Sequence, residues 1–381
     1  MPFAEVVTPT PELMLAFYRR LYPFKAIFKW LNHEHTPCRL FTHREIAFTL
    51  ENDVYLRYNS FTTAEEFKNQ TCTLNPTRFE IGPVYTARPR DKKTVRPGAF
   101  SPVQRELVFD IDMTDYDSIR TCCSGGEICR RCWGFIGAAV RILDSAVRQQ
   151  FGYKHLLWVY SGRRGIHLWV SDREAMELTD EQRRSLVNFL TVVQGGKEMH
   201  KKVNDCFKEK GGWQELLQLI PDPKIVEKLE KKWGVMENRS SDDKWSDFKN
   251  EVKASYIKQE RTPMIYAMED IILQYTYPRI DAEVSKHRNH LLKAPFCVHP
   301  KTGRICVPVD PEKINEFDPE LVPTVDQLLR ELDEATFEST GEGHSDWEKT
   351  SLKPYVDMLE KHALGLMNEV RKDRQSHDMT W

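Results

Sequence analysis

The segment Leu107-Val108-Phe109-Asp110-Ile111-Asp112 constrains this chain more than any other. It is apolar enough to be a buried strand, yet it carries two carboxylates at alternate positions. Residues two apart on a strand project to the same face, roughly 7 Å from each other. Asp110 and Asp112 therefore point together, while Leu107, Phe109 and Ile111 pack behind them. Two carboxylates on one rigid strand can bridge a pair of divalent cations about 3.5–4 Å apart, and without a counter-charge they resist joint ionisation. Read alone, the hexapeptide also fits an exposed strand with two solvated aspartates.

The rest of the chain is able to build a sheet around such a strand. Its 381 residues, 40% hydrophobic and 11% aromatic, suffice for one large domain or two or three ordinary ones with a real core. No apolar run approaches the ~18 residues of a membrane span. Met1-Pro2-Phe3-Ala4-Glu5 has neither the basic flank nor the apolar core of a signal peptide, so a soluble intracellular protein is expected. The net charge of -2 means that a polyanion would have to be gripped by a local basic surface.

Thr10-Pro11-Glu12 reads as a helix start, followed by the stripe Leu13, Phe17 and Leu21 and interrupted at Pro23. Residues 45–50 and 54–61 alternate around Glu51-Asn52-Asp53 as a hairpin. Ile46, Phe48 and Leu50 share one face and Glu45 takes the other, as Tyr55, Arg57 and Asn59 oppose Val54, Leu56 and Tyr58. That polar face either lines a site or meets water. A strand is predicted at 106–113, a helix near 133–150, and strands at 156–160 and 166–170 around the turn Ser161–Gly165. From 192 to 268, lysines, glutamates, Trp213, Trp233 and Trp245 lie in helix-forming surroundings, which reads as a helical insertion between two halves of a mixed α/β core. Core-like sequence resumes near Ile271, with a strand at Ile305–Val309, a helix after Pro323 and a polar linker at about 338–348. The predicted division is 1–191, 192–268 and 269–381, the last part ending in C-terminal helices.

Several constellations carry chemistry. Four of the nine cysteines, Cys122, Cys123, Cys129 and Cys132, crowd into eleven residues. An all-thiolate set suits a closed structural zinc site, with His155 as a substitute should one adjacent cysteine point away. Ser161-Gly162-Arg163-Arg164-Gly165-Ile166-His167 offers turn amides and guanidinium forks that match phosphate oxygens, and equally a solvated basic turn. Asp281, Lys286, His290, Lys293, His299, Lys301 and Arg304 add a third carboxylate and a cation set of the kind triphosphate chemistry requires. The run Arg88, Arg90, Lys92, Lys93 and Arg96 reads as a loop that is either solvated or laid against a nucleic-acid backbone. Asp115 and Asp117 fit caps or a solvated turn.

With Tyr277-Pro278-Arg279-Ile280-Asp281, Asn289-His290-Leu291-Leu292-Lys293 and His299-Pro300-Lys301-Thr302-Gly303-Arg304, these motifs resemble the small subunit of archaeo-eukaryotic DNA primases. Order and spacing agree over 11–190 and 270–330. The resemblance implies an α+β fold: a mixed α/β primase catalytic core with a structural zinc knuckle and an inserted, mostly helical subdomain. It implies that Asp110, Asp112 and Asp281 hold two Mg²⁺ or Mn²⁺ ions, and that the cysteines hold one Zn²⁺. Ser161, Arg163, Arg164, His167, Lys293 and His299 would bind the nucleotide triphosphate. Arg57 would be a further active-site arginine, Glu45 beside it a related polar contact, and His290 and Leu291 would lie near sugar and base. Glu80 stands where an aspartate near the ribose 2′-hydroxyl is usual, and Arg78 where lysine is common. The implied activity is DNA-directed synthesis of RNA primers from ribonucleoside triphosphates on single-stranded DNA. The implied partners are the primase large subunit and the DNA polymerase alpha complex, in the nucleus and without a membrane.

Overall fold

Two antiparallel sheets flanked by helices are built from the first and last parts of the chain, in a computed structural model describing residues 9–192, 217, 220, 222–235, 239–257, 267–338 and 345–378. The first sheet holds β1 (Arg44–Thr49), β2 (Tyr55–Asn59), β3 (Arg78–Tyr85) and β4 (Pro102–Gln104) in the order β2-β1-β3-β4. The second runs β5 (Leu107–Asp112), β7 (Gly165–Val170), β6 (Leu156–Tyr160) and β9 (Pro308–Val309), with β5 at its edge. β8 (Leu292–Lys293) crosses back to pair with β3. Every strand pairing among the described residues is antiparallel, as an α+β fold requires. No helix among them is long and apolar enough to cross a membrane.

Local rules account for most elements. The Thr10 hydroxyl accepts from Leu13 N and Pro11 opens the helix Pro11–Arg20, which Pro23 separates from the helix Phe24–Asn32. The helix Arg130–Phe151 ends at Gly152, whose φ of 75° lies in the left-handed region. The aromatic rings that follow Pro11 fill the first sheet's core face, Tyr22 packing 4.6 Å from Phe24 and 5.2 Å from Phe79. The C-terminal helix Lys353–Asp378 lies along Phe24–Asn32.

β3 is the element that sequence pattern hides, because Gly82-Pro83 reads as a breaker. Between Arg44↔Val84 and Ile46↔Ile81, β3 advances three residues while β1 advances two. The Gly-Pro pair occupies that bulge, where a missing N–H costs no ladder bond. Other differences are smaller. The strand expected at Ile305–Val309 shortens to Pro308–Val309, with Ile305 bridging Val298 and Arg304 bridging Thr324. The basic run is a short 3₁₀ turn over Pro89–Thr94.

The described part of the insertion is helical, over Pro223–Val235, Ser241–Ile257 and Ala267–Thr276. It has its own apolar cluster, including Leu229, Trp233, Phe248 and Ile271. The helix Ala267–Thr276 runs across the boundary expected at 268, since Ile271 packs into this cluster. Trp213 and the middle of the expected 338–348 linker lie outside the described residues.

A buried ion pair pins the two sheets together. Arg44 on β1 donates Nη1 to Glu106 Oε2 at 2.7 Å and Nη2 to Oε1 at 2.9 Å, directly before β5. Burial alone would raise the Glu106 carboxyl, but Arg44 outweighs it and holds it below its ordinary value. Breaking such a pair leaves an uncompensated buried charge. Glu106→Ala is expected to cost about 3–5 kcal/mol, read as a lower urea midpoint. Asp326→Ala, which removes the exposed partner of Arg330, is expected to cost less than about 1 kcal/mol in the same assay.

Candidate active site

The site forms where β5 and β7 leave the second sheet. Asp110 lies opposite His167 and Asp112 opposite Gly165 in the ladder. A Cβ at position 165 would sit 2.6 Å from Ile111 O, so glycine is what lets the strands close there. The turn before it uses Gly162 at φ 87°. Ser161 locks that turn, its Oγ accepting from Gly165 N at 3.0 Å and its N donating to Gly165 O at 2.9 Å.

Asp281 reaches this end of β5 from far along the chain. Its backbone N donates to Asp110 O at 3.0 Å, and Ser285 Oγ donates to Val108 O at 2.5 Å, docking the short helix Ala282–Lys286 on the strand. The buried Arg105 secures the same helix, with Nη1 2.9 Å from both Val284 O and His287 O.

A cavity of about 180 Å³ opens here, lined by Asp110, Asp112, Ser161, Arg163, Arg164, Gly165, His167, Lys293 and His299. Burial, then the neighbouring Asp112, Asp281 and Asp115 carboxylates, push Asp110 up to about 8. Burial also works against charge on Asp112. Arg164 Nε (2.8 Å) and the Thr114 amide (2.9 Å) outweigh it, leaving Asp112 below its ordinary value. Burial and then Lys293 drive His167 down to about 3, so its ring is neutral, with Nε2 3.5 Å from Asp110 Oδ1. His299 also falls to about 3, burial first and then Lys293 and the two turn arginines. Lys301 N donates to His299 Nδ1 at 3.2 Å, which leaves the ring proton on Nε2. Buried carboxylates set side by side on one strand fit hard divalent cations held by oxygen ligands.

The first sheet supplies the facing wall. Glu80 pairs with Lys293 across β3 and β8, and Lys293 Nζ donates to Ser161 O at 2.7 Å, tying the two sheets at the site. Tyr55 OH donates to Glu80 Oε2 at 2.5 Å, and Arg78 Nε lies 3.8 Å from the same carboxylate. Leu291 packs over Gly82, and His290 is exposed beside it.

Glu45 differs from expectation. It was expected as a nucleotide contact on an open polar face, but it is fully buried. Its Oε1 accepts from Arg57 Nε at 2.8 Å and Tyr58 N at 3.0 Å. Its Oε2 accepts from Arg57 Nη2 and Tyr85 OH, both at 3.0 Å. The left-handed backbone of Tyr58 (φ 64°) turns its amide onto this carboxylate. Glu45 therefore fixes the Arg57 guanidinium from below. Glu45→Gln, which keeps the volume and drops the charge, is expected to raise the nucleotide KM about tenfold with a smaller change in kcat, as steady-state primer synthesis would show.

The four cysteine Sγ atoms converge within 4.8 Å of one another and could hold one metal ion. His155 takes no part, its ring pairing instead with Glu369. Asp117, expected as a cap or solvated, braces the knuckle loop by accepting from Arg120 Nε at 2.5 Å and Gly125 N at 3.0 Å. Arg120 extends that brace to Gly125 O at 2.9 Å and Glu127 O at 2.7 Å. The residues that pattern reading missed are mostly such supports: Thr114, Tyr85, Arg105 and Arg120. Only Thr114 carries a local signal, standing two residues after Asp112 in an Asx-turn arrangement.

A family model described as DNA primase small subunit matches residues 109–311, a span that contains Asp110, Asp112, Asp281 and His299. The DNA primase small subunit of Schizosaccharomyces pombe is 47% identical over 364 residues, covering 87% of this chain and 80% of that protein. That of Saccharomyces cerevisiae is 37% identical over 410 residues, covering 97% and 96%. The chain belongs to the DNA primase small-subunit family. It is of the eukaryotic type, since the archaeal small subunit PriS of Archaeoglobus fulgidus is 25% identical, covering 74% of this chain. With the family comes the enzyme class, a DNA primase of DNA replication. The matched span opens within β5 and closes just beyond β9, so it takes in the second sheet apart from the first two residues of β5.

Proposed function

We propose that this primase small subunit makes short RNA primers de novo on single-stranded DNA by two-metal nucleotidyl transfer. One observation carries the reading: the two carboxylates of β5 face Arg163, Arg164, Lys293 and two neutral histidines across one cavity, and Asp281, from a distant part of the chain, is tied beside them by its backbone bond to Asp110. Asp110, Asp112 and Asp281 would hold two Mg²⁺ or Mn²⁺ ions. Bound there, the ions would activate a 3′-hydroxyl and neutralise the departing pyrophosphate. The 3′ oxygen bonds to the α-phosphorus of an incoming ribonucleoside triphosphate as the bond from that phosphorus to the pyrophosphate oxygen breaks.

The chain's own residues orient this exchange. Arg163, Arg164 and Lys293 offset charge on the triphosphate, and His299 presents its Nε2 proton as a donor. Ser161 holds the turn that aims both arginines, and Arg57, oriented by Glu45, adds a cation from the facing sheet. Glu80, His290 and Leu291 lie on the side given to ribose and base. The four cysteines hold one structural Zn²⁺. In the nucleus, the primase large subunit and the DNA polymerase alpha complex would complete the grip on template and primer, which a chain of net charge -2 does not supply from its overall field.

The test is primer synthesis on single-stranded DNA with each nucleotide set, resolved by product length. Short RNA products that require a divalent cation are expected. A preference for deoxynucleotides together with failure to start chains would overturn the reading.

A further inference from the structure

The knuckle meets the active site at Gly126. Gly126 lies between the cysteine pairs, after Cys122-Cys123 and before Cys129 and Cys132, and it faces the turn of the second sheet. A Cβ built on Gly126 would stand 1.7 Å from Arg163 Nη2, 2.4 Å from its Cζ and 2.9 Å from its Nε. The guanidinium therefore rests directly on the bare glycine. Gly126 is not among the left-handed glycines, unlike its neighbour Gly125 at φ 57°, so its backbone conformation would accept a side chain. What position 126 lacks room for is the space taken by Arg163.

The two turn arginines are held in different ways. Arg164 is tied to Asp112 at 2.8 Å, whereas among the described residues no carboxylate pairs with Arg163. The backbone of Arg163 is fixed by Tyr160 OH, which donates to its carbonyl at 2.9 Å. Its charged end has the glycine as support and the cavity as outlook. A cation poised in this way is free to meet an anion.

We propose that the cysteine knuckle is the floor on which Arg163 is set, with Gly126 the positioning residue that gives the guanidinium its height in the triphosphate site. The zinc-binding segment then shapes nucleotide affinity in addition to closing its own loop. The inference rests on the nucleotidyl-transfer reading through the role of Arg163. A methyl group at 126 requires a separation of about 3.5 Å from the guanidinium, hence a displacement of about 2 Å. A long side chain yields that distance at little cost to the fold, but a charge-assisted hydrogen bond to phosphate does not survive it.

The experiment compares the full chain with Gly126→Ala, Arg163→Ala, the double variant and the control Gly134→Ala, whose Cβ would meet nothing within 4 Å. Nucleotide KM and kcat, zinc content and melting temperature are measured for each. Gly126→Ala is expected to raise the nucleotide KM about 5–30-fold, with kcat changed less and with zinc and melting temperature kept. Arg163→Ala is expected to raise KM about 10–100-fold, and the double variant to match Arg163→Ala alone. An unchanged KM in Gly126→Ala, or a full additional loss in the double variant, overturns the inference while leaving the site reading intact. An unchanged KM in Arg163→Ala overturns the role of Arg163 and the inference with it. Should Gly126→Ala lose stability or zinc, removal of Arg163 in the double variant is expected to restore both, and failure to restore them overturns the contact as the cause.

Discussion

An Asp110→Asn chain is expected to make primers at least about a thousandfold more slowly than the wild type, with its melting temperature unchanged or higher. Asparagine keeps the shape that fits between β7 and the Asp281 segment. It removes one of the carboxylates whose mutual repulsion, added to burial, pushes Asp110 up to about 8. The fold therefore loses nothing from the substitution, and the metal-binding set loses a negative ligand at its centre. Kinetics and thermal melting are read on the same preparation. Primer synthesis within tenfold of wild type would show that the carboxylate cluster does not carry the reaction, and would favour a scaffold that only binds nucleic acid.

A Cys129→Ser chain is expected to lose its zinc and at least about 3 kcal/mol of stability, seen as metal content falling from one ion per chain to none and as an earlier melt. Tetrahedral zinc with Zn–S bonds near 2.3 Å places its sulfurs about 3.8 Å apart. Cys129 and Cys132 already stand at 3.8 Å, and all four sulfurs lie within 4.8 Å. The backbone amide of Cys132, at the start of the Arg130–Phe151 helix, is the main cause that brings the Cys129 thiol down to about 7. The Cys122 and Cys123 thiols move up instead, burial first and then Cys129 for Cys122, and Cys129 first and then burial for Cys123. A bound ion would displace the remaining thiol protons. Full stability and activity in a zinc-free chain would reduce the knuckle to an incidental cluster.

The two aspartates of β5, the turn Ser161–Gly165 and the cysteine cluster were legible because each is set by local rules: alternation, glycine in a tight turn, and ligand spacing. The helical character of the insertion was legible from composition. What lay hidden depends on contacts between distant residues. β3 is masked by its own bulge at Gly82-Pro83. Glu45 alternates as an outward residue, yet the reversed backbone at Tyr58 and the hydroxyl of Tyr85 enclose it. Asp281 was recognised by motif, but its place beside Asp110 follows from a backbone hydrogen bond that no periodicity encodes. The support under Arg163 is a missing side chain, which pattern reading does not register.

The docking of the Asp281 segment on β5 has a consequence for solubility. β5 is an outer strand, and an outer strand offers free carbonyls to any other chain able to pair with it. Here the carbonyls of Val108 and Asp110 are taken by Ser285 Oγ and Asp281 N. The segment that brings in Asp281 thus also covers part of the β5 edge. A change that swings it away would uncover the edge of β5 and withdraw the proposed third metal ligand in one movement.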